Sequence, residues 1–226
     1  MTTLPKLSKR LQCAADLVRE GSFLADVGTD HAYLPVVLAA TGKIRGGIAS
    51  DIHKGPIERA RANVKAWGLE ETLSTMLCDG LCGIEPHNPD DILILGMGGE
   101  LIADILARAP WTKKEGVRLI LQPMTHAELL RAFLLENGYG IVREVLVKED
   151  KIYQIICAEY TGKTENYTAA ELAFGKETLC RMDETARELL LHWQSILARR
   201  IEGKEKAGAD ASEEMKLKKE IEAWLS

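Results

Sequence analysis

No apolar run in this chain is long enough to cross a membrane. The longest, 92–95 and 36–40, fall far short of the roughly 20 residues that a spanning helix needs. The opening Met1-Thr2-Thr3-Leu4-Pro5-Lys6 lacks the apolar core of a secretion signal, which sets the expectation of a cytoplasmic protein. Paired cysteines are missing as well. Cys13, Cys78, Cys82, Cys157 and Cys180 make an odd count with no CxxC, and no histidine or second pair beside Cys78 and Cys82 completes a zinc set. All five are expected to be reduced thiols, and no metal is expected. Positive charge is not in excess either: 29 Lys and Arg against 34 Asp and Glu leave a net charge of -5. Any nucleic-acid contact must therefore come from a local patch. The candidates are Lys6, Lys9 and Arg10; Arg59, Arg61 and Lys65; and Lys113, Lys114 and Arg118. Neither G-x-S-x-G nor GxxxxGK[ST] occurs, which removes serine-hydrolase and P-loop readings. Internal repeats and low-complexity segments are also absent.

What the chain has is enough apolar residue, 46% of 226, for one ordinary domain and something smaller. Its most informative stretch is Asp26-Val27-Gly28-Thr29-Asp30-His31-Ala32-Tyr33-Leu34-Pro35. A buried strand runs into a glycine turn, and an apolar helix starts within a few residues. Backbone N–H groups at such a turn point toward an anionic ligand group. The dinucleotide fingerprint G-x-G-x-x-G would put glycine where Asp30 and Tyr33 stand, and Asp30 would repel a pyrophosphate. A ligand with a ribose, an amino-acid end and a positive centre fits better, and S-adenosylmethionine is that ligand.

Up to residue 160, short apolar strands alternate with amphipathic helices, the pattern of a mostly parallel sheet covered on both faces. Strands are predicted at 23–27, 46–50, 73–78, 91–95 and 117–121, and helices at 7–18, 32–40, 57–67, 100–107 and 126–136. Ser8 is a candidate cap and Pro56 opens the third helix. Runs 140–148 and 152–160 then succeed each other across Glu149-Asp150-Lys151, a link short enough to make an antiparallel hairpin. Five βα units ending in a hairpin describe an α/β, Rossmann-like class I methyltransferase sheet of seven strands, the last one antiparallel. The sheet is complete by Tyr160, so 1–162 is expected to be the ligand-binding domain. Residues 163–226 are expected to form a small, coiled-coil-like helical hairpin outside the sheet. Its stripes are Leu189, Trp193, Ile196, Leu197 and Ile201, then Leu217, Ile221, Trp224 and Leu225, with Gly203 and Gly208 in the turn. Such a hairpin can grip RNA, dimerise or pack as a tail.

Ligands of open α/β sheets gather at the carboxyl ends of the strands, where strand order reverses. Those ends carry Asp26 and Gly28; Asp51 and Ile52; Asp79 and Gly80; Gly96, Met97 and Gly98; and Gln122-Pro123. Asp51, about 23 residues after Gly28, has the spacing of an acid that accepts both ribose hydroxyls. Asp79 is placed to accept from an adenine amino group. Thr29 and His31 belong to the same turn, with His31 either a ligand contact or a solvent-facing helix start. Met97 is expected to close over the site, and Trp67 belongs to the core. Asp30 has two readings, a helix N-cap or a charge beside the reacting group. The turn Gly96-Met97-Gly98-Gly99 offers no side-chain acceptor for an exocyclic amine, which suits a target atom with a free lone pair.

The turn with Gly28-Thr29-Asp30-His31-Ala32-Tyr33-Leu34-Pro35, together with Ser50-Asp51-Ile52, Cys78-Asp79-Gly80, Gly96-Met97-Gly98-Gly99 and Leu121-Gln122-Pro123, resembles the bacterial tRNA (adenine-22-N1)-methyltransferase family. The resemblance spans about 7–160, and the residues after Lys163 are similar to the family's helical C-terminal hairpin. It implies S-adenosylmethionine as donor, tRNA as substrate, methylation at N1 of adenine 22, and a Rossmann-like fold with a coiled-coil arm. With it come Asp30 as the catalytic candidate and Asp26, Gly28, Thr29, His31, Asp51, Ile52, Asp79, Gly80, Gly96, Met97 and Gly98 around the donor. A monomer is expected. Two other readings share the donor site: a small-molecule methyltransferase, which needs no hairpin, and a nucleoside-binding adaptor, which needs no acid at Asp30.

Overall fold

The computed structural model describes residues 4–226, so part of the leader expectation, at residues 1–3, lies outside the described residues. Strands β1 (Ser22–Val27), β2 (Ile44–Asp51), β3 (Leu73–Leu77), β4 (Asp91–Met97), β5 (Arg118–Pro123), β6 (Tyr139–Lys148) and β7 (Ile152–Tyr160) form one seven-stranded sheet in the order β3-β2-β1-β4-β5-β7-β6. The first five run parallel, and β7 enters antiparallel between β5 and β6. Strand order reverses at β1, which lies between β2 and β4, so the ends of those three strands frame the crevice. β4 is longer than the apolar run alone indicates. It continues through Gly96 and Met97 because Met97 pairs with Pro123 of β5 across a register shift.

Helices α1 (Lys9–Leu17), α2 (Tyr33–Ala40), α3 (Lys54–Ala66), α4 (Gly99–Ala107) and α5 (Ala127–Glu136) cover the sheet. Ser8 caps α1, its hydroxyl accepting from Leu11 N–H. Apolar side chains fill two layers. One joins α1, α2 and α3 to the sheet through Ala14, Ala15, Val36, Ala60 and Leu93. The other, on the opposite face, gathers Ile92, Ile94, Ile102, Leu106, Leu130 and Leu134. Central strands are buried on both faces, which is why they read as unbroken apolar runs.

The C-terminal part differs from a free appendage. Two short helices, α6 (Ala169–Phe174) and α7 (Lys176–Arg181), precede the pair α8 (Glu184–Lys206) and α9 (Ser212–Leu225). Gly203 lies inside α8 rather than in the turn. These helices share their own apolar cluster around Phe174, Leu190, Leu197 and Ile221, with Leu146 and Ile152 of the sheet packed against it. A buried ion pair fastens the seam. Arg131 of α5 and Glu144 of β6, with side chains 1% and 2% exposed, meet at 2.8 Å. The remaining guanidinium N–H groups donate to the Leu172 carbonyl and to Gln154 Oε1, and Glu177 N–H donates to Glu144. Gly175 sits at φ +90 with an imagined Cβ 2.2 Å from Glu144 Oε1, so a side chain there would break the seam. Among the described residues no helix is long and apolar enough to cross a membrane, and no group of three potential metal ligands forms.

Candidate functional site

At the end of β1 the chain turns on Gly28, with φ +78. The N–H groups of Gly28 and Thr29 both donate to the Ser50 carbonyl at 2.9 Å, which welds the β1 turn to the end of β2. Those two N–H groups are therefore engaged inside the protein instead of pointing at a ligand. A Cβ on Gly28 would stand 2.1 Å from Met97 Cε, so Met97 lies directly over the turn and Gly28 is required for contact as well as for φ. The Thr29 hydroxyl is buried and accepts from Ala32 N–H at 3.0 Å.

Asp30 does not cap the helix. The N-cap of α2 is Ala32, in the left-handed region at φ 54, with no side-chain cap. The Asp30 carboxylate turns outward, 67% exposed, and pairs with Arg59 of α3 at 2.5 Å and with His31 at 3.1 Å. Thr29 performs the local bonding expected of Asp30. His31 is itself braced: its ring stacks on Tyr33 at 4.9 Å and its carbonyl accepts from Asn63 Nδ2 at 2.8 Å. Nothing in the turn's sequence announces Arg59 or Asn63, because both come from the next helix.

Asp51 ends β2 with one carboxylate oxygen accepting from His53 N–H at 2.7 Å, which fixes the carboxyl at the crevice. Ile52 beside it is 57% exposed, an apolar surface at the rim. Asp79 stands beyond β3 but is held by Arg108, the C-cap of α4, at 2.8 Å, and that guanidinium keeps its carboxyl below the usual range. An amino group that bonded Asp79 would share it with Arg108. Gly80, at φ +56, brings the backbone close to Ile105.

The loop after β4 is locked to the loop after β5. Met97 carbonyl accepts from Met124 N–H at 2.7 Å, and Gly99 N–H donates to Thr125 carbonyl at 2.8 Å. A Cβ on Gly99 would lie 2.2 Å from the His126 carbonyl oxygen. Gly98 supplies the extended cap of α4, with no side chain to take the capping bond. Gly96, at φ +78, faces Arg10 of α1. Arg10 is a residue that its basic neighbours Lys6 and Lys9 disguised: it reaches inward to bond the buried Gln122 side chain. Of the other patches, Arg118 pairs with Glu159 and Lys113 with Asn137 inside the fold.

Asp26 is the buried acid of the site. Burial raises its carboxyl to about 6, against the lowering effect of the Thr29 hydroxyl, and nearby Asp51 adds to the rise. Among the described residues neither Asp26 nor Asp51 has an ion-pair partner, so a cationic ligand group would meet two uncompensated carboxylates at adjoining strand ends. The donor set fits S-adenosylmethionine: carboxylates for the ribose and the amino-acid end, an apolar rim, and a glycine floor under Met97. A separate groove of about 1530 Å³ lies between residues 123–128, the hairpin at 148–154 and helices α8 and α9.

A methyltransferase-domain family model matches residues 7–156. The chain is 41% identical over 173 residues to the tRNA (adenine(22)-N(1))-methyltransferase of Bacillus subtilis, covering 75% of this chain and 72% of that protein. The chain belongs to the tRNA (adenine(22)-N(1))-methyltransferase family. Solved structures of relatives agree over nearly the whole length, C-terminal helices included. The B. subtilis M1A22 tRNA methyltransferase TrmK superposes with a TM-score of 0.86 at 32% identity, covering 98% of this chain and 99% of that one. M. capricolum TrmK, solved with S-adenosyl-homocysteine, gives 0.84 at 25% identity over 97% of both chains. A Streptococcus pneumoniae relative was solved with S-adenosyl-L-methionine and gives 0.87 at 32% identity, covering 98% and 100%. The predicted sheet, its antiparallel β7 and the S-adenosylmethionine donor accord with this family of structures.

Proposed function

We propose that this protein transfers the methyl group of S-adenosylmethionine to N1 of adenine 22 in tRNA, as a monomer in the cytoplasm. The observation that carries the target position is the 41% identity to the B. subtilis enzyme. When bound, S-adenosylmethionine supplies a methyl group activated by its sulfonium centre. Asp51 holds the ribose hydroxyls, Asp26 faces the amino-acid end, and Ile52 offers an apolar surface to the adenine with Asp79 at its amino edge. Gly96 and Gly98 leave the end of β4 bare, while Gly28 and Gly80 let Met97 and Ile105 pack against the turns that carry the site. The division into a donor-binding unit, 1–162, and a helical unit, 163–226, belongs to the same proposal. The groove between the units is where an RNA segment would lie.

The chemistry asks little proton transfer of the protein. Adenine N1 is neutral and carries a free lone pair, so no base is needed to create the nucleophile. Methylation leaves the ring cationic, and alignment plus negative charge near that ring become the protein's contribution. Asp30 is the exposed carboxylate at the lip, turned away from the helix end toward Arg59 and His31. N1 is engaged in any base pair, so the target base must be unpaired or extruded. The test is transfer from labelled donor to bulk tRNA with and without ribonuclease, followed by reverse transcription. N1 methylation blocks the pairing edge, so a stop at adenine 22 is expected. Transfer that is undiminished when the tRNA is digested with ribonuclease before donor and enzyme are added would refute the tRNA reading.

A further inference from the structure

The net charge of -5 is unevenly spread, and positive charge collects on α3. That helix carries Lys54, Arg59, Arg61 and Lys65 against a single acid, Glu58. No other helix among the described residues exceeds one net positive charge, and α8 and α9 together balance eight basic residues with eight acids. The pairing differs as much as the totals. On α8 and α9, Lys204, Lys206 and Lys218 are tied to Glu214, Glu202 and Glu222. On α3 only Arg59 has an anion, Asp30. Among the described residues Lys54, Arg61 and Lys65 make no ion pair, and Arg61 has only a long bond of 3.4 Å from its Nε to the Thr75 hydroxyl. This arrangement does not serve the helix. Lys54 stands in a first turn that holds no acid, where the helix dipole repels a cation. Arg61 and Lys65 are like charges four residues apart, which also weakens a helix.

Position decides what the face is for. Ile57, Ala60 and Val64 bury the inner side of α3. On the outer side Lys54, Arg61 and Lys65 recur at helical spacing along one flank, with Glu58 among them, and all four are exposed. Arg59 stands on the other flank, and the small residues Gly55, Ala62 and Ala66 lie between the two. At 1.5 Å per residue the row from Lys54 to Lys65 is about 16 Å long, which matches a polyanion rather than one small anion. The helix begins three residues after Asp51, Arg59 bonds Asp30, and Asn63 Nδ2 donates to the His31 carbonyl. The basic face therefore adjoins the lip by which a target base enters. A base drawn into the crevice leaves its own phosphates outside, beside this helix.

We propose that the outer face of α3 binds the sugar–phosphate backbone beside the target nucleotide, with Lys54, Arg61 and Lys65 as the phosphate contacts and Arg59 kept for Asp30. This rests on the reading of tRNA as the substrate. The experiment measures binding of a labelled tRNA transcript by fluorescence anisotropy across a series of salt concentrations. Lys54→Gln, Arg61→Gln and Lys65→Gln each remove one charge at little cost in helix propensity. Each should lower the slope of log affinity against log salt by about 0.7–0.9, which corresponds to about five- to eightfold weaker binding at 0.1 M salt. KM for tRNA should rise, while kcat at saturating tRNA and donor affinity by calorimetry stay at parent values. Glu58→Gln should act in the opposite direction and tighten tRNA binding. Lys114→Gln is the charge-matched control, because that exposed lysine lies in the loop entering β5, at the amino ends of the strands and away from the crevice. Variants of α3 that keep the parent slope, or flatten it no more than Lys114→Gln does, would overturn the proposal, as would a Glu58→Gln variant that binds tRNA more weakly. A parent protein that neither binds nor methylates tRNA would remove the substrate reading itself, whereas methylation with unaltered α3 variants removes only this surface.

Discussion

Asp30→Asn tests the catalytic assignment most directly, because the structure has removed the competing explanation. The helix cap belongs to Ala32 and the local bond to Thr29, so asparagine at 30 takes no cap away. What is lost is a carboxylate charge and its pairing with Arg59 and His31. Asp30 is 67% and Arg59 47% exposed, and pairs that open to water contribute roughly 0–1 kcal/mol. For a chain of this size that corresponds to a Tm shift of no more than about 2–4 °C. Removing one preorganised charge from the surroundings of a developing cation costs about 2.7–4 kcal/mol, or roughly a hundred- to a thousandfold in rate. The assay is single-turnover methylation of a tRNA transcript at saturating donor, with donor affinity measured separately. Arg59→Gln is the companion: it keeps the Asp30 charge and loosens its brace, so a smaller loss is expected. Asp30→Asn turnover within about threefold of the parent would sink the assignment.

Asp51→Ala should weaken S-adenosylmethionine about ten- to a hundredfold by calorimetry while leaving the fold intact; unchanged affinity would place the ribose elsewhere. Asp26, raised to about 6 mainly by burial, holds its proton more tightly folded than unfolded, so its favourable contribution exists at low pH and is lost as pH rises through about 6. Asp26→Asn should therefore be more stable than the parent above pH 7, by roughly 3 kcal/mol, with the gap closing below about pH 4. Donor affinity of the parent should fall below pH 6 as Asp26 is protonated, and a flat profile would remove it from the amino-acid end. Arg131→Met leaves Glu144 buried without its cation and should cost about 3–5 kcal/mol in denaturant unfolding, whereas a loss under 1 kcal/mol would show the seam to be slack. A chain ending at Gly162 should still bind donor but melt lower, having lost the partners of Arg131, and fail to methylate tRNA; full activity would reduce the C-terminal helices to a tail.

The sheet was legible because each strand is a short apolar run bounded by turn residues, and the switch to antiparallel pairing was legible in the length of one link. Glu149-Asp150-Lys151 is too short for a crossover helix, so β6 and β7 had to form a hairpin. The places of the acids along the strands were legible for a similar reason; their roles toward the donor belong to the proposal. Asp51 and Asp79 come where an apolar run gives way to the turn that leaves the core, whereas Asp26 is buried within β1, one residue before its end. Even Met97 was readable as a residue closing over the site, since the glycines around it leave it as the one side chain available to do so.

What escaped the sequence is what depends on partners far along the chain. Arg10 reads as one of three basic residues on an exposed helix start, yet its bond goes to Gln122 and its Nε faces no protein acceptor. Asp30 reads as a cap because it precedes an apolar helix, but Arg59, a full strand and helix later, draws it outward. The seam hides in the same way. Arg131 falls within the amphipathic pattern of α5 and Glu144 within an alternating strand, so each looks solvated until the carbonyls of α6 arrive. A long polar side chain covers apolar surface in one context and is buried by its partner in another, and sequence periodicity carries no sign of which. Burial of that pair demands that Leu172, Gln154 and Glu177 be present together, because any one of them missing leaves an unbonded polar group in the core. The C-terminal helices are therefore held at a fixed angle to the donor crevice. If the C-terminal helices grip tRNA as proposed, Arg131→Met should therefore loosen tRNA binding as well as the fold, while leaving donor affinity unchanged.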